Sequence, residues 1–180
     1  HLVVAALIGA APCVCRAVDG VSLELGTSDS SNADVNMARV GLQWKWGKRW
    51  DVSQNWAIGG YWDLSLGYWD NRTSPALRTG GSIVDIGLTP TFRLQSTDTS
   101  GTGPYAEAAI GFHLLSRTSV STQRDFGSAF QFGDHFGVGV RFGPRGAYDL
   151  GYRYQHLSNA GIRGPNQGIN FHQVRFQYHF

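Results

Sequence analysis

The sequence predicts an all-β fold, an eight-stranded antiparallel transmembrane β-barrel of the outer-membrane type, and three observations predict it. The 180 residues fit one domain, and 24 Gly together with 10 Phe, 7 Tyr and 6 Trp favour strands over helices. From residue 18 onward, apolar side chains recur at every second position, and no segment shows a convincing helical period. One face is rich in aromatic rings while the other combines Gly with charges of both signs, which is typical of a barrel with lipid outside and a polar lumen.

The first 17 residues differ from the alternating remainder. They contain an apolar run that is too short to span a bilayer, and the small residue Ala17 suits a signal-peptidase cut. We therefore expect residues 1–17 to be a truncated secretory signal and residues 18–180 to form a single barrel domain. The alternative for the first segment is an N-terminal strand or an apolar tail. Both cysteines, Cys13 and Cys15, lie in this segment, so the exported domain is expected to fold without disulfides.

Four segments in the first half of the domain are predicted strands, separated by polar turns such as Thr27–Asp34 and Asp70–Gly80. In each segment, one parity carries the large apolar residues and the other carries Gly, polar or charged residues. Asp29 lies in the first of these turns, where we expect a solvated carboxylate. The outward sets are Val21, Leu23 and Leu25; Ala38, Val40, Leu42, Trp44 and Trp46; Trp56, Ile58, Trp62, Leu64, Leu66 and Tyr68; and Val84, Ile86, Leu88, Pro90, Phe92 and Leu94.

Four further segments complete an even number of strands, as in bacterial barrels with both termini at the periplasmic end. Asp134 interrupts the apolar series of the sixth segment at an outward position. The outward sets are Ala106, Ala108, Ile110, Phe112 and Leu114; Phe130, Phe132, Phe136, Val138, Val140 and Phe142; Tyr148, Leu150, Tyr152 and Tyr154; and His172, Val174, Phe176, Tyr178 and Phe180.

The inward parity carries a nearly balanced set of charges, which predicts a paired network in the lumen. Eight strands leave room only for side chains, so we predict a filled interior and no pore. A soluble lipocalin-like barrel is the alternative, but it would leave a Gly-rich set to cover its exterior. His113 and His135 also point inward, and their spacing does not indicate a metal site. The inward charges are Arg39, Lys45, Arg93, Arg141, Arg153 and Arg175 against Glu24, Asp63, Asp85, Glu107 and Asp149.

The overall charge argues against two classes of partner. The formal net charge is +2 and only 16% of residues are charged, without a cluster of Lys or Arg, so neither nucleic acid nor a polybasic membrane contact is expected. Outward aromatic residues such as Trp44, Trp62 and Tyr68 are expected to form an ordinary interfacial girdle. The alternative for this aromatic surface is a homodimer interface.

His156 and Ser158 are the main anomaly of the outward face. They continue the outward parity of the seventh strand, and His156 lies roughly 20 Å above the periplasmic start of that strand at the usual rise and tilt. Asn170 lies at a similar height on the eighth strand and also points outward. Polar groups facing lipid cost free energy unless they are paired or functional. A His and a Ser on one face are the minimum for a base-activated nucleophile, and the alternative is an ordinary interfacial pair near the headgroups.

The stretch from His156 to Asn170 reads HLSNAGIRGPNQGIN and resembles the outer-membrane lipid A 3-O-deacylases of the PagL type, which share H-x-S-N-A-G, then P-N and G-I. The resemblance implies a serine esterase in the outer membrane of a Gram-negative bacterium, acting on lipid A of lipopolysaccharide in the outer leaflet. Residue by residue, it implies that Ser158 is the nucleophile and His156 the general base. The implied oxyanion stabilisers are Asn166 and the backbone near Ala160 and Gly161.

One position departs from the family pattern. The acidic member of the family's triad falls fourteen residues after the His, where this sequence has Asn170. An amide still orients an imidazole, but it stabilises imidazolium less than a carboxylate does. We favour Asn170 as a neutral orienter. The alternative acid is Asp134, because pairing across the Gly143–Gly146 turn would place it opposite His156.

The resulting hypothesis is a lipid A 3-O-deacylase that uses neither a cofactor nor a metal. A non-enzymatic barrel with a structural or adhesive role is the alternative from a different class. A second enzymatic alternative is another lipid-remodelling barrel, such as an acyltransferase or a phospholipase.

Overall fold

The computed structural model describes residues 17–30, 32–97 and 101–180. The predicted signal segment falls almost entirely on residues 1–16, which lie outside the described residues, so that expectation stays a prediction. The strands are β1 (Gly20–Ser28), β2 (Val35–Lys45), β3 (Trp50–Asp51), β4 (Trp56–Asn71), β5 (Ile83–Ser96), β6 (Gly103–Leu115), β7 (Ser119–Ser121), β8 (Arg124–Asp125), β9 (Phe130–Phe142), β10 (Tyr148–Ser158) and β11 (Ile169–His179).

Eight long strands close into one antiparallel barrel, which confirms the predicted fold. Around the barrel the order is β1, β2, β4, β5, β6, β9, β10 and β11, and β11 pairs with β1 to close it. Each long strand corresponds to one predicted segment. The short strand β3 and the β7–β8 hairpin were not predicted, because two or three residues are too few to show alternation.

The two faces of the strands differ as the parity predicts. Leu25, Phe136 and Val174 are 57%, 60% and 57% exposed on the outer wall, whereas Arg175 on the inner face is 1% exposed. An apolar wall that extends around all eight strands is the surface that a bilayer covers. Among the described residues, no helix is long and apolar enough to cross a membrane.

The lumen contains the predicted network of ion pairs. Arg39 contacts Asp85 at 2.7 Å and Glu24 at 3.2 Å, and Arg153 contacts Glu24 at 2.9 Å and Glu107 at 2.6 Å. These side chains are nearly inaccessible to solvent, and a buried guanidinium requires such contacts with more than one carboxylate. The polar lumen is therefore filled with compensated charges. Further pairs are Arg93 with Glu107 and Asp149, Arg175 with Glu24 and Asp63, and Arg141 with Asp149.

An apolar core fills one end of the lumen, and the polar-lumen expectation missed it. The end concerned is the one where β10 ends and β11 begins, called here the loop end. Trp69 lies at its centre, edge-to-face with Phe171 at 4.9 Å and Phe126 at 6.2 Å between ring centroids. The other members are Ala33, Val35, Met37, Ile83, Leu115, Val120, Leu157 and Ile169. Leu157 and Ile169 alternate with outward residues of β10 and β11, so this core anchors the backbone behind the outer wall.

Candidate active site

The paired ends of β10 and β11 bring two of the predicted site residues together. His156 of β10 lies directly opposite Asn170 of β11 in the strand register, and both side chains point to the outer wall. His156 Nδ1 lies 2.5 Å from Asn170 Oδ1, within hydrogen-bond distance. Because an amide oxygen only accepts, this contact requires a proton on Nδ1 and leaves the Nε2 lone pair free to accept one.

Asp134 occupies the corresponding place on the other side of His156. It lies opposite His156 in the β9–β10 register, as predicted, and its side chain is exposed on the wall. Among the described residues, however, the His156 ring bonds to Asn170 and not to Asp134. The geometry thus favours Asn170 over Asp134 as the group that orients the imidazole.

Ser158 is the last residue of β10 and shares the outer face with His156. Its neighbour in the register is Phe132, and its side chain is half-buried. Two residues of strand separate the Cα atoms of His156 and Ser158 by about 6.6 Å, a distance that their side chains can bridge. Within the described residues, no hydrogen bond joins Ser158 to the ring; such contacts often tighten only with substrate bound.

Gly168 provides the surface on which the imidazole rests. It is buried, with a φ of +60°, and a Cβ at this position would lie 2.9 Å from His156 Cε1 and 3.3 Å from Nε2. Only Gly combines this left-handed conformation with such a close approach at little steric cost. The G-I pair of the quoted motif therefore has a physical role: Gly168 packs against the base, and Ile169 enters the apolar core.

Asn159 organises the loop that follows Ser158. It is fully buried, and its Nδ2 donates to Phe126 O at 2.8 Å and to Arg163 O at 2.6 Å. Its Oδ1 accepts the Gly161 N–H at 2.9 Å, and its own N–H donates to Asn166 Oδ1 at 3.0 Å. These four bonds fold residues 159–168 back toward the wall.

The same bonds show which of the residues expected to stabilise an oxyanion still have an unengaged N–H donor. The Gly161 N–H is already engaged by Asn159, so it is not a free donor, contrary to the expectation for that residue. Asn166 uses its carbonyl oxygen toward Asn159, which leaves its NH₂ group to donate elsewhere. Ala160 has a φ of +54°, and its N–H donates to no group within the described residues. Two donors, at Ala160 and Asn166, remain available beside Ser158.

The β7–β8 hairpin braces this loop from the neighbouring side, a support that sequence reasoning missed. Arg124 Nη1 donates to Gly168 O at 2.5 Å, and the Asp125 N–H donates to Gln167 Oε1 at 2.7 Å. Burial lowers the pKa of Arg124 below its ordinary value, and the charge of nearby Asp29 opposes this shift. No short motif marks such a contact, because it joins loops more than forty residues apart.

The assembled groups suit acyl transfer. A hydroxyl, an imidazole held in one tautomer and two unengaged N–H donors are what nucleophilic ester hydrolysis uses. Across the described ranges, no three His, Cys, Asp or Glu side chains gather as metal ligands.

Comparisons with known proteins give a consistent result. The family model for lipid A 3-O-deacylase (PagL) matches residues 36–179. The lipid A deacylase PagL of Bordetella bronchiseptica is 35% identical over 170 residues, covering 89% of this chain and 83% of that protein. The lipid A deacylase PagL of Pseudomonas aeruginosa is 31% identical over 175 residues, covering 97% and 94% respectively. The crystal structure of the outer membrane enzyme PagL matches with a TM-score of 0.77 at 28% identity, covering 89% of this chain and 99% of that one.

Proposed function

The chain belongs to the PagL family of lipid A 3-O-deacylases, and from this membership we propose that it is an outer-membrane esterase that removes the ester-linked acyl chain at position 3 of lipid A. In this proposal Ser158 is the nucleophile and His156 is the general base. Asn170 orients the imidazole, and Asn166 with the Ala160 N–H stabilises the oxyanion.

One observation carries the proposal. His156 and Ser158 point outward from a largely apolar wall, and His156 is hydrogen-bonded through Nδ1 to Asn170 at 2.5 Å. A solvated or purely structural role would not need a polar group on a lipid-covered surface with its base nitrogen left free. The position near the loop end suits a substrate whose ester bonds lie at the boundary between headgroup and acyl chains.

The first half of the reaction forms an acyl-enzyme. Ser158 Oγ attacks the ester carbonyl carbon while His156 Nε2 takes the hydroxyl proton, and the carbonyl oxygen becomes an oxyanion. The Ala160 N–H and the Asn166 NH₂ group donate to that oxygen. The intermediate then expels the sugar oxygen, which takes the proton from His156, and the acyl chain stays on Ser158.

The second half returns the enzyme to its starting state. Water gives its proton to His156 Nε2 and attacks the acyl carbonyl, and Ser158 leaves with the proton returned by His156. The products are 3-O-deacylated lipid A and a free fatty acid. All groups with a role come from one chain, so the chemistry does not require the homodimer considered for the aromatic girdle.

Mass spectrometry of lipid A tests the proposal. Cells expressing the wild-type chain are expected to lose one 3-hydroxyacyl group from lipid A, and cells expressing Ser158→Ala are expected to retain it. Ser82→Ala is the matched control, because Ser82 is a loop-end serine near β5, on the opposite side of the barrel, and bonds to Tyr68. That variant is expected to behave as the wild type.

The alternatives predict different spectra. Unmodified lipid A from cells with folded wild-type barrel in the outer membrane would indicate a structural or adhesive role. Altered phospholipids with unchanged lipid A would indicate a phospholipase or an acyltransferase.

A further inference from the structure

Closure of the barrel brings a carboxylate to the far side of Asn170. β1 pairs with β11 up to Ser28 opposite Phe171, and the next residue, Asp29, donates its N–H to Asn170 O at 3.3 Å. The first and last strands therefore place Asp29 and Asn170 side by side at the loop end. This Asp lies outside the quoted motif.

The Asp29 carboxylate is held by three groups on the outer wall. Its Oδ2 accepts the Tyr154 hydroxyl at 3.0 Å and the Asn170 Nδ2 at 3.5 Å, and it lies 3.8 Å from His172 Nε2. The side chain is 30% exposed. Asp29 is thus exposed, as expected for a loop carboxylate, but it is also bonded to the outer wall. A carboxylate at the edge of an apolar wall that is hydrogen-bonded to several partners has a fixed orientation.

The position of this carboxylate determines which way the Asn170 amide faces. An ionised carboxylate only accepts hydrogen bonds, so the NH₂ end of the amide must face Asp29. The carbonyl end then faces His156 Nδ1, where it accepts a proton-bearing nitrogen at 2.5 Å. Without the carboxylate, the amide could turn over and offer NH₂ to Nδ1, which would favour the tautomer with its proton on Nε2. That tautomer cannot accept a proton from Ser158.

We propose that Asp29 is a positioning residue that fixes the Asn170 amide and thereby holds His156 in the tautomer able to act as a base. The inference rests on the proposed function and extends it: where the family pattern has an acid, this chain has an amide backed by an acid from another strand. In a serine-protease triad, an Asp-to-Asn exchange that yields the wrong tautomer lowers turnover about 10⁴-fold. An amide whose orientation is not fixed would therefore reduce the rate.

Substitution of Asp29 in two backgrounds tests the proposal. In the otherwise wild-type chain, Asp29→Asn is expected to lower kcat roughly 10- to 100-fold with little change in KM, as for other groups that orient an active-site His. In the Asn170→Asp background the carboxylate contacts His156 directly, and a second carboxylate beside it is unfavourable. There, Asp29→Asn is expected to leave kcat unchanged or to raise it.

The matched control is Asp34→Asn. Asp34 lies in the same loop, is exposed, and contributes backbone bonds with Thr73 and Arg72 that Asn preserves. It is expected to keep the kcat of its parent chain in both backgrounds. An equal loss for Asp29→Asn in both backgrounds would mean that Asp29 only stabilises the loop end, and an unchanged kcat in the otherwise wild-type chain would also overturn the proposal.

Nitrogen NMR shifts of the His156 ring test the same idea without turnover. The chain in detergent micelles is expected to carry the proton on Nδ1, and Asp29→Asn is expected to shift the ring toward the Nε2-protonated tautomer. Identical shifts in the two proteins would overturn the positioning role even if the chain proved not to be a deacylase. Conversely, shifted spectra with no deacylation in any variant would contradict the proposed function and leave the positioning role standing.

Discussion

On the inner face of β10, Arg153 meets two carboxylates, Glu24 at 2.9 Å and Glu107 at 2.6 Å, whereas on the outer face His156 meets one amide, Asn170, at 2.5 Å. Glu24 in turn contacts Arg39 and Arg175, so this inner carboxylate has three guanidinium partners. On the outer face, side-chain contacts run from His156 through Asn170 to Asp29, with Ser158 next to His156 on the same face.

The difference suggests that the inner face contributes mainly to stability and the outer face mainly to activity. A network with several partners per charge fills and rigidifies the lumen, and the removal of one member leaves buried charges uncompensated. The few contacts of these residues on the wall contribute little to folding, but each residue has a role in the proposed chemistry. Substitutions on the outer face should therefore reduce the rate and spare the fold, and those on the inner face should do the reverse.

The largest effect on rate is expected from the base itself. His156→Gln is expected to lower the deacylation rate by at least about 10⁴-fold, because His156 accepts the Ser158 proton in the proposed mechanism. The free energy of unfolding should change by less than about 1 kcal/mol, since the side chain is only half-buried. Release of fatty acid from lipid A micelles gives the rate, and circular dichroism during heating gives the stability. A residual rate above about one hundredth of wild type would contradict the role of His156 as the general base.

The next effect distinguishes the two neighbours of His156. Asn170→Ala removes the bonded partner and is expected to lower kcat about 100-fold, while Asp134→Ala is expected to change it less than about 3-fold. The two variants are measured under the same micelle conditions and serve as each other's control. A larger loss for Asp134→Ala would instead make Asp134 the partner of the base.

A smaller effect is expected from the glycine beneath the imidazole. Gly168→Ala adds a Cβ 2.9 Å from both His156 Cε1 and Leu157 O and should displace the ring and the adjoining backbone, lowering kcat roughly 10-fold. Gly161→Ala is the comparison variant, because its φ of +79° imposes a similar backbone strain of about 1 kcal/mol while its Cβ would contact nothing within 4 Å. It should lose no more than a few-fold in rate. Equal losses in the two variants would attribute the effect to backbone strain alone.

The smallest effect on rate, with the largest on stability, is expected in the lumen. Glu24→Gln removes the shared partner of three guanidinium groups and should lower the free energy of unfolding by about 3–5 kcal/mol. The rate of the folded fraction should stay within about 2-fold of wild type. Arg49→Ala is the control, because its pair with Asp51 is exposed and such pairs contribute at most about 1 kcal/mol. Thermal unfolding in detergent measures the stability of both variants. An unchanged melting temperature for Glu24→Gln would contradict the proposed difference between the inner and outer faces.

Sequence parity predicted which face of a strand each residue occupies. It did not predict which inward residues of different strands lie at the same level of the barrel. Period-two alternation placed Arg39 and Arg153 inside and His156 outside, and strand counting placed Asn170 beside His156. Trp69 and Phe171 lie on the inner face, but alternation could not show that they gather into an apolar core at one end. Alternation carries no information on which inward residues of different strands share a level, since that depends on the register between strands.

The supports of the site were the least predictable part. Arg124 reaches Gly168 from another loop, and Asp29 reaches Asn170 from the other end of the chain. Neither contact leaves a local pattern, because each depends on how the barrel closes. Gly168 was visible as part of the quoted motif, yet its purpose, a close approach to His156, required the three-dimensional arrangement.

The contact between Asp29 and Asn170 has a consequence for biogenesis. It joins residues 141 positions apart, across the seam between the first and last strands. Pairing of such distant segments carries a large entropic cost of loop closure and comes late when a barrel assembles. A partly assembled chain, with β10 and β11 paired but the seam open, holds His156 and Ser158 without the carboxylate behind them. If Asp29 positions Asn170 as proposed, full hydrolytic rate arrives only with the final hydrogen bonds of the barrel, and a half-inserted chain is expected to attack the lipids around it more slowly.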